Sequence, residues 1–463
     1  MISPVLASAI LIATHTAAGL ATGVKVGEVT TDSAIVWVRV TEEAERNGRG
    51  LWFAGRPAIP VPDGVRPEQL LGACPGAPGE VRLRYGTSQD LADATVTGWV
   101  KVESNTDFAH SFAIDGLKPA TEYFYVAEAR DPGSEEPSAT LQGQFGTAPA
   151  PETNADVTFT VVTGMYYGDL DDLKGFNAYA AMTELKPDFL VPTGDTVYYD
   201  NDSPVVTSLD VASYHWQRMY SLPRLVEFHL TAPAYWEKDD HDTYHDDCWP
   251  GMVEEKMGNF TFDEGLKYFL DVVPMGDKTY RTVRWGKALQ VWLVEGRDYR
   301  SPNTMPDGPG KTIWGEEQKE WLKTTLLESD ADWKVLVSPT PIVGPDRGSK
   351  ADNHANDAFA HEGNEMREWF AENVPDNLFI ACGDRHWQYH SIDPKTGVQE
   401  FSCGPVSDEH AGGSPGEDPE YHQYHRMEGG FLSVNVSPKG DGSTIAFRFH
   451  DVHGKVLYEK AFE

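Results

Sequence analysis

Apolar and polar positions alternate with a period of two through the first third of the chain, and the pattern changes after residue 153. Residues 34–40 (AIVWVRV), 81–85 (VRLRY), 96–102 and 108–114 alternate and are rich in β-branched side chains, the signature of half-buried strands. The run 117–125 (LKPATEYFY) places Tyr123 at a strand corner, and 142–147 (QGQFGT) reads as a last strand. Between 41 and 80 the period is lost, Gly and Pro are frequent, and an irregular surface excursion carrying Trp52 and Phe53 is expected. Residues 148–153 (APAPET) read as a linker. Beyond it, apolar runs at 157–163, 189–191, 288–295, 333–338 and 377–382 are interspersed with helical spacing at 175–185, 316–328 and 365–372. In 316–328 one helix face carries Trp321, Leu322, Thr325 and Leu326. Strands alternating with helices predict a layered α/β domain, closed by an antiparallel pair at 430–436 and 444–451. The expected organisation is a β-sandwich over 23–148 and an α/β domain over 154–463.

Composition narrows the partners. A formal charge of −34 disfavours nucleic acid and anionic membranes, and it suits a well-solvated acidic surface. No stretch after the N-terminus is apolar enough to span a bilayer. Residues 1–22 are apolar and small, like a signal or leader segment, so a periplasmic or extracellular location is expected. The four cysteines form no CxxC pair, which disfavours a zinc ribbon. A Cys382–Cys403 disulfide and buried free thiols are both open readings.

The chemistry gathers where apolar strands stop. Residues 185–200 (LKPDFLVPTGDTVYYD) read as a buried strand that turns at Gly194 and ends on Asp195, with Tyr198 three residues on. A second cluster, 235–247, holds Asp240, His241 and Asp246. A third follows the apolar run at 379–382, with Asp384 and His386 two residues apart and therefore on one side of an extended backbone. Imidazole with carboxylate is a ligand set for borderline and hard cations. Any one Gly-Asp turn is ordinary, but three such strand ends in one α/β domain point to a metal site. His241 is the candidate proton donor to a leaving group, because imidazole titrates near working pH. Arg297 or Arg300 could clamp a phosphoryl oxygen or form structural ion pairs, and Arg385 could bind phosphate or pair with a local acid.

The order GDxxY, WxxDDHD, GDxH resembles the PhoD-like alkaline phosphatases of the metallophosphoesterase superfamily. The stretches 23–37 (GVKVGEVTTDSAIVW), 295–300 (EGRDYR) and 315–322 (GEEQKEWL) are similar to that family as well, and the LxPxTxYxY run resembles a fibronectin type III corner. The resemblance implies a four-layer α/β/β/α domain behind a fibronectin III/Ig-like sandwich, and phosphoester hydrolysis of a small phosphorylated substrate at a metal cluster of calcium with iron or another transition metal. It implies Asp195 as a bridge between metals, Tyr198, Asp240, Asp384 and His386 as ligands, His241 near the leaving group, and Asp246 as a further ligand or substrate contact. The chain departs from the family at Gly164, where a cysteine ligand is usual. Two other readings stay open: an impaired member serving as a binding module, and a hydrolase of a different ester such as a phospholipid or sulfate ester.

Overall fold

The computed structural model describes residues 18–463. The leader expectation over 1–17 lies outside them. Residues 18–22 belong to the first domain: Ala18 and Leu20 are buried in its core, and Gly19 exchanges two backbone hydrogen bonds with Thr41.

That domain is built from β1 (Val24–Gly27), β2 (Ser33–Arg39), β3 (Gly79–Gly86), β4 (Thr95–Val96), β5 (Val100–Val102), β6 (Ala109–Asp115), β7 (Glu122–Arg130) and β8 (Ala139–Gly146). One sheet has the order β1-β2-β6 and the other β4-β3-β7-β8, with β5 also paired to β3. Inward residues such as Val36, Leu83, Phe112, Ala127 and Phe145 fill the space between them, as the alternation requires. The single strand expected at 96–102 is two, interrupted around Gly98, a residue that weakens a strand interior. At the corner, the Tyr123 hydroxyl accepts the Lys118 N–H at 3.0 Å.

The second domain follows with β9 (Val157–Val162), α1 (Asn177–Leu185), β10 (Phe189–Pro192), α2 (Leu209–Tyr220), α3 (Pro223–His229), α4 (Phe262–Val272), β11 (Arg281–Trp285), β12 (Leu289–Leu293), α5 (Gly315–Glu328), β13 (Trp333–Ser338), α6 (Ala360–Asn373) and β14 (Leu378–Cys382). It is completed by β15 (Gln388–Ile392), β16 (Gln399–Cys403), β17 (His422–Arg426), β18 (Phe431–Lys439), β19 (Gly442–His450) and β20 (Val456–Phe462). Two sheets form, β10-β9-β18-β19-β20 and β11-β12-β13-β14-β16-β15-β17. Phe159, Phe189, Phe379, Phe401 and Phe447 meet between them, with Phe401 stacked on Phe447 at 4.0 Å. On the other face of the first sheet, Val162 and Leu190 pack under α1, α2, α3 and α4. On the other face of the second, Trp292, Leu336 and Ile380 pack under α5 and α6. The domain is therefore an α/β/β/α sandwich. The strands buried on both faces read as continuous apolar runs for this reason.

Two open readings resolve here. All four cysteines are free and buried. Cys382 lies opposite Ser402 in the parallel β14/β16 register, so Cys403 is one residue off, and it packs on the opposite side of the sheet from Cys382. The 41–80 excursion is not a loose surface loop. Gly55 N–H donates to Asp202 Oδ1 at 2.6 Å, Val205 N–H to the Ile59 carbonyl at 3.0 Å, and Arg218 Nη1 to the Phe53 carbonyl at 3.0 Å. The buried Arg218–Asp202 ion pair supplies partners for loop backbone that has none of its own. A second seam joins the domains at Ala234, whose N–H donates to the Val26 carbonyl at 2.9 Å while Tyr235 N–H donates to that of Leu190.

Candidate metal centre

The strand ends meet at one place. After β10, Gly194 adopts a φ of 91° and Asp195 one of 53°. A Cβ on Gly194 would lie 2.3 Å from the Asp239 nitrogen, so only glycine lets this turn press against the Asp239–Asp242 loop. After β14, a Cβ on Gly383 would collide with the Thr193 hydroxyl in the same way, and Asp384 turns back with φ 60°. Asp195 Oδ2 accepts the Tyr198 hydroxyl at 3.0 Å and lies 3.7 Å from His386 Nε2. Asp195, Asp240 and His241 each offer a ligand atom within 4.8 Å of the others, and Asp240, Asp246 and Asp247 form a second such trio. The structure thus assembles Asp195, Tyr198, Asp240, His241 and His386 from distant segments, and Asp246 joins through Asp240. Asp384 sits at the same edge, its backbone N–H toward the Thr163 hydroxyl at 3.4 Å and its carboxylate against Arg385.

The electrostatics of these carboxylates call for a cation. Burial pushes the Asp195 carboxyl well above the usual range; His241 opposes this, and Asp240 and Asp239 add to it. Its Oδ1 is buried without a hydrogen-bond partner. Burial alone would raise Asp240 too, but Arg297 and His241 outweigh it and hold Asp240 well below the carboxylate range. An orphaned carboxylate oxygen among crowded buried acids fits a site that binds metal. His241 Nδ1 is fixed by Asp200 Oδ1 at 2.6 Å, and its Nε2 faces Asp246 Oδ1 at 3.7 Å. Lys350 bridges Asp246 and Asp247, at 3.2 and 2.5 Å.

Three arginines, Arg297, Arg300 and Arg385, lie buried among acids and carbonyls. Arg297 is fully buried, with Nε donating to Asp239 Oδ1 at 2.5 Å and Nη2 3.7 Å from Asp240. It positions the ligand loop. Arg300 is buried against the carbonyls of Asp352 and Gly296. Arg385, also fully buried, donates to Asp346 Oδ1 at 2.7 Å and touches Asp384. Each guanidinium is held by a buried acid or carbonyl, while Arg297 Nη2, Arg300 Nε and Arg385 Nε and Nη2 are buried without a hydrogen-bond partner. Arg56, from the 41–80 excursion, is a cation that does face outward. It is exposed, its Cζ lies 4.2 Å over the Tyr166 ring, and it makes no ion pair among the described residues. Trp52 stacks on Tyr167 beside it.

Two residues at the centre carry no motif. Asp200 ends the 185–200 run and is legible only once its bond to His241 is seen. His410 arrives from a short turn after β16: its Nε2 lies 2.9 Å from the Tyr198 hydroxyl and its Nδ1 2.9 Å from Asp169 Oδ2. Cys248 is buried with its thiol directed at the Asp240 carbonyl at 3.6 Å, and burial pushes that thiol up to about 12.

Comparison with known proteins agrees with this fold. Residues 159–437 match the PhoD-like phosphatase family, and residues 6–149 match the N-terminal domain of PhoD-like phosphatases. Alkaline phosphatase D of Bacillus subtilis is 23% identical over 444 residues, covering 86% of this chain and 70% of that protein. A solved structure of PhoD superposes with a TM-score of 0.73 at 16% identity, covering 96% of this chain and 90% of that one. A purple acid phosphatase from yellow lupin seeds superposes at 0.62 with 12% identity, covering 95% and 73%.

Proposed function

The chain belongs to the PhoD-like phosphatase family and is a phosphoester hydrolase, and on that premise we propose that it cleaves phosphomonoesters, phosphodiesters or both with a metal-activated water. The observation that carries this reading is the meeting of Asp195, Asp240 and His241 within 4.8 Å, with His386 Nε2 3.7 Å from Asp195. Metal ions held by Asp195, Tyr198, Asp240, Asp384 and His386 would supply an activated water and neutralise phosphoryl oxygens. The all-carboxylate trio Asp240, Asp246 and Asp247 suits a hard cation such as calcium, whereas the side bearing His386 and Tyr198 suits iron or another transition metal.

The protein's own groups do the rest. Asp195 would serve as a ligand common to both sides. Asp200 holds the His241 ring so that Nε2 faces the cluster, where it donates a proton to the leaving oxygen. Arg297 keeps Asp239 and Asp240 in place. The exposed Arg56 offers the incoming anion a charge. The small-residue leader pattern supports an exported protein, and no described helix is long and apolar enough to cross a membrane. Asp195→Asn tests the assignment: bound metal and phosphatase activity should both disappear. Normal hydrolysis of a generic phosphoester by that variant would refute it, and a wild-type protein that loads metal yet turns over no ester would favour a binding module.

A further inference from the structure

Gly164 lies just past β9, at the edge where the ligands gather, with φ 62°. A Cβ there would sit 3.0 Å from Pro405 Cβ and 3.2 Å from His410 Cδ2. A side chain at position 164 would meet the His410 imidazole, which already fills the space beside it. This ring is buried, stacked on Tyr166 at 5.1 Å and 7°, and 4.2 Å from the His386 ring. Asp169 accepts the Nδ1–H at 2.9 Å, which leaves the Nε2 lone pair free and aimed at the Tyr198 hydroxyl.

That hydroxyl is over-subscribed. It lies 3.0 Å from Asp195 Oδ2, 2.9 Å from His410 Nε2 and 3.3 Å from His386 Nε2. A phenol has one proton to give, yet the Asp195 carboxylate and His410 Nε2 both present lone pairs to it. Two acceptors converging on one donor in a buried site are poorly satisfied by protein atoms alone. A cation resolves the conflict. A histidine whose second nitrogen donates to a carboxylate is also the usual arrangement of a metal-bound imidazole.

We propose that His410 is a metal ligand, oriented by Asp169, and that it completes with His386, Tyr198 and Asp195 a nitrogen–oxygen site for a borderline transition ion. The proposal rests on the metal-dependent reading above and adds the ligand that closes the Gly164 side of the centre. The donor set contains two imidazoles and no sulfur, which favours ions such as zinc, cobalt, manganese or ferrous iron over thiophilic ones.

The test is metal binding rather than turnover. Wild type, His410→Gln, Asp169→Asn and Asp195→Asn are stripped and titrated with cobalt(II), with the visible spectrum and bound metal per chain as readouts. Glutamine keeps an acceptor for the Tyr198 hydroxyl but is a poor ligand for cobalt. His410→Gln should therefore lose the cobalt spectrum of the wild type and bind one ion fewer or more than about 100-fold more weakly, a larger loss than an outer-shell change gives. Asp169→Asn should weaken the same ion by about 10- to 100-fold while keeping the fold. If His410→Gln fails to fold, the Asp169→Asn titration decides. Wild-type cobalt affinity and spectrum in Asp169→Asn or in a folded His410→Gln, with metal lost from Asp195→Asn, would overturn the His410 assignment and leave the proposed function standing. A wild type that binds no metal would overturn both.

Discussion

Arg56→Ala removes a charge that the fold does not use and the substrate should. The guanidinium is exposed over Tyr166 and makes no ion pair among the described residues, so its loss costs folding about 0.5–1 kcal/mol at most, the value of an exposed cation–π contact. Its worth to an anion follows from position. The Tyr166 centroid is 5.1 Å from that of Tyr198 and 4.2 Å from Arg56 Cζ, so the charge lies within about 9 Å of the Tyr198 ring at the candidate centre. A unit charge and a phosphate dianion about 9 Å apart in a water-like medium attract by about 1 kcal/mol, a factor of about five in binding. A phosphodiester monoanion gains half the energy, about twofold. The chain carries −34 overall and repels both substrates, which makes one local cation count. Steady-state kcat/KM for a monoester and a diester should therefore fall about fivefold and twofold in Arg56→Ala at low salt. The differences should vanish near 1 M salt, where the Debye length is about 3 Å. Arg56→Lys should retain most of the effect. Equal losses for both substrates, or losses that persist in high salt, would refute a charge-based role.

Other tests bear on the scaffold. Glu362 is buried; burial alone would raise its carboxyl, but His354 and the Ile313 N–H hold it down to about 2. Glu362→Gln should cost about 3 kcal/mol at pH 7 in denaturant titrations. A depressed carboxylate stabilises above its unfolded pKa and loses that contribution as pH falls through its folded one, so the gap to wild type should narrow from about pH 4.5 toward about 2; a constant gap argues against the assignment. Gly194→Ala should push the β10 turn away from Asp239 and abolish metal retention even in folded protein, because the added Cβ meets the Asp239 nitrogen at 2.3 Å. Metal content equal to wild type would mean the turn tolerates a shift. All four thiols should resist a thiol reagent in the native protein and react after denaturation, with no reductant required; reaction without unfolding would contradict their burial.

The strand ends were legible because their signal is local. An apolar run stops at Gly-Asp, and the structure shows why: Asp195 and Asp384 both take a positive φ directly after a glycine. The layers were legible where strands are short and apolar. Helix α2 was not, since nearly all its residues, including His215 and Arg218, are buried, leaving no polar face to mark a period. Helix α4 does carry a sequence mark, the Thr261–Glu264 capping box at its N-terminus. The partners of the arginines were not legible, for a different reason. A sequence shows a charge but not whether Asp239, Asp346 or the Asp352 carbonyl will meet it in the interior. His410 and Asp200 belong to irregular segments, and only the folded chain brings them to Tyr198 and His241.

The docking of the 41–80 excursion divides the labour of change. Gly55 is bonded to Asp202 across 147 positions of sequence, so a loop beside the candidate centre is encoded far from the groups proposed to hold metal. Insertions and deletions in that stretch can reshape what enters while leaving every ligand untouched. Such a protein can diversify its diet by editing a loop of its accessory domain, and selection on its chemistry need never see the edit.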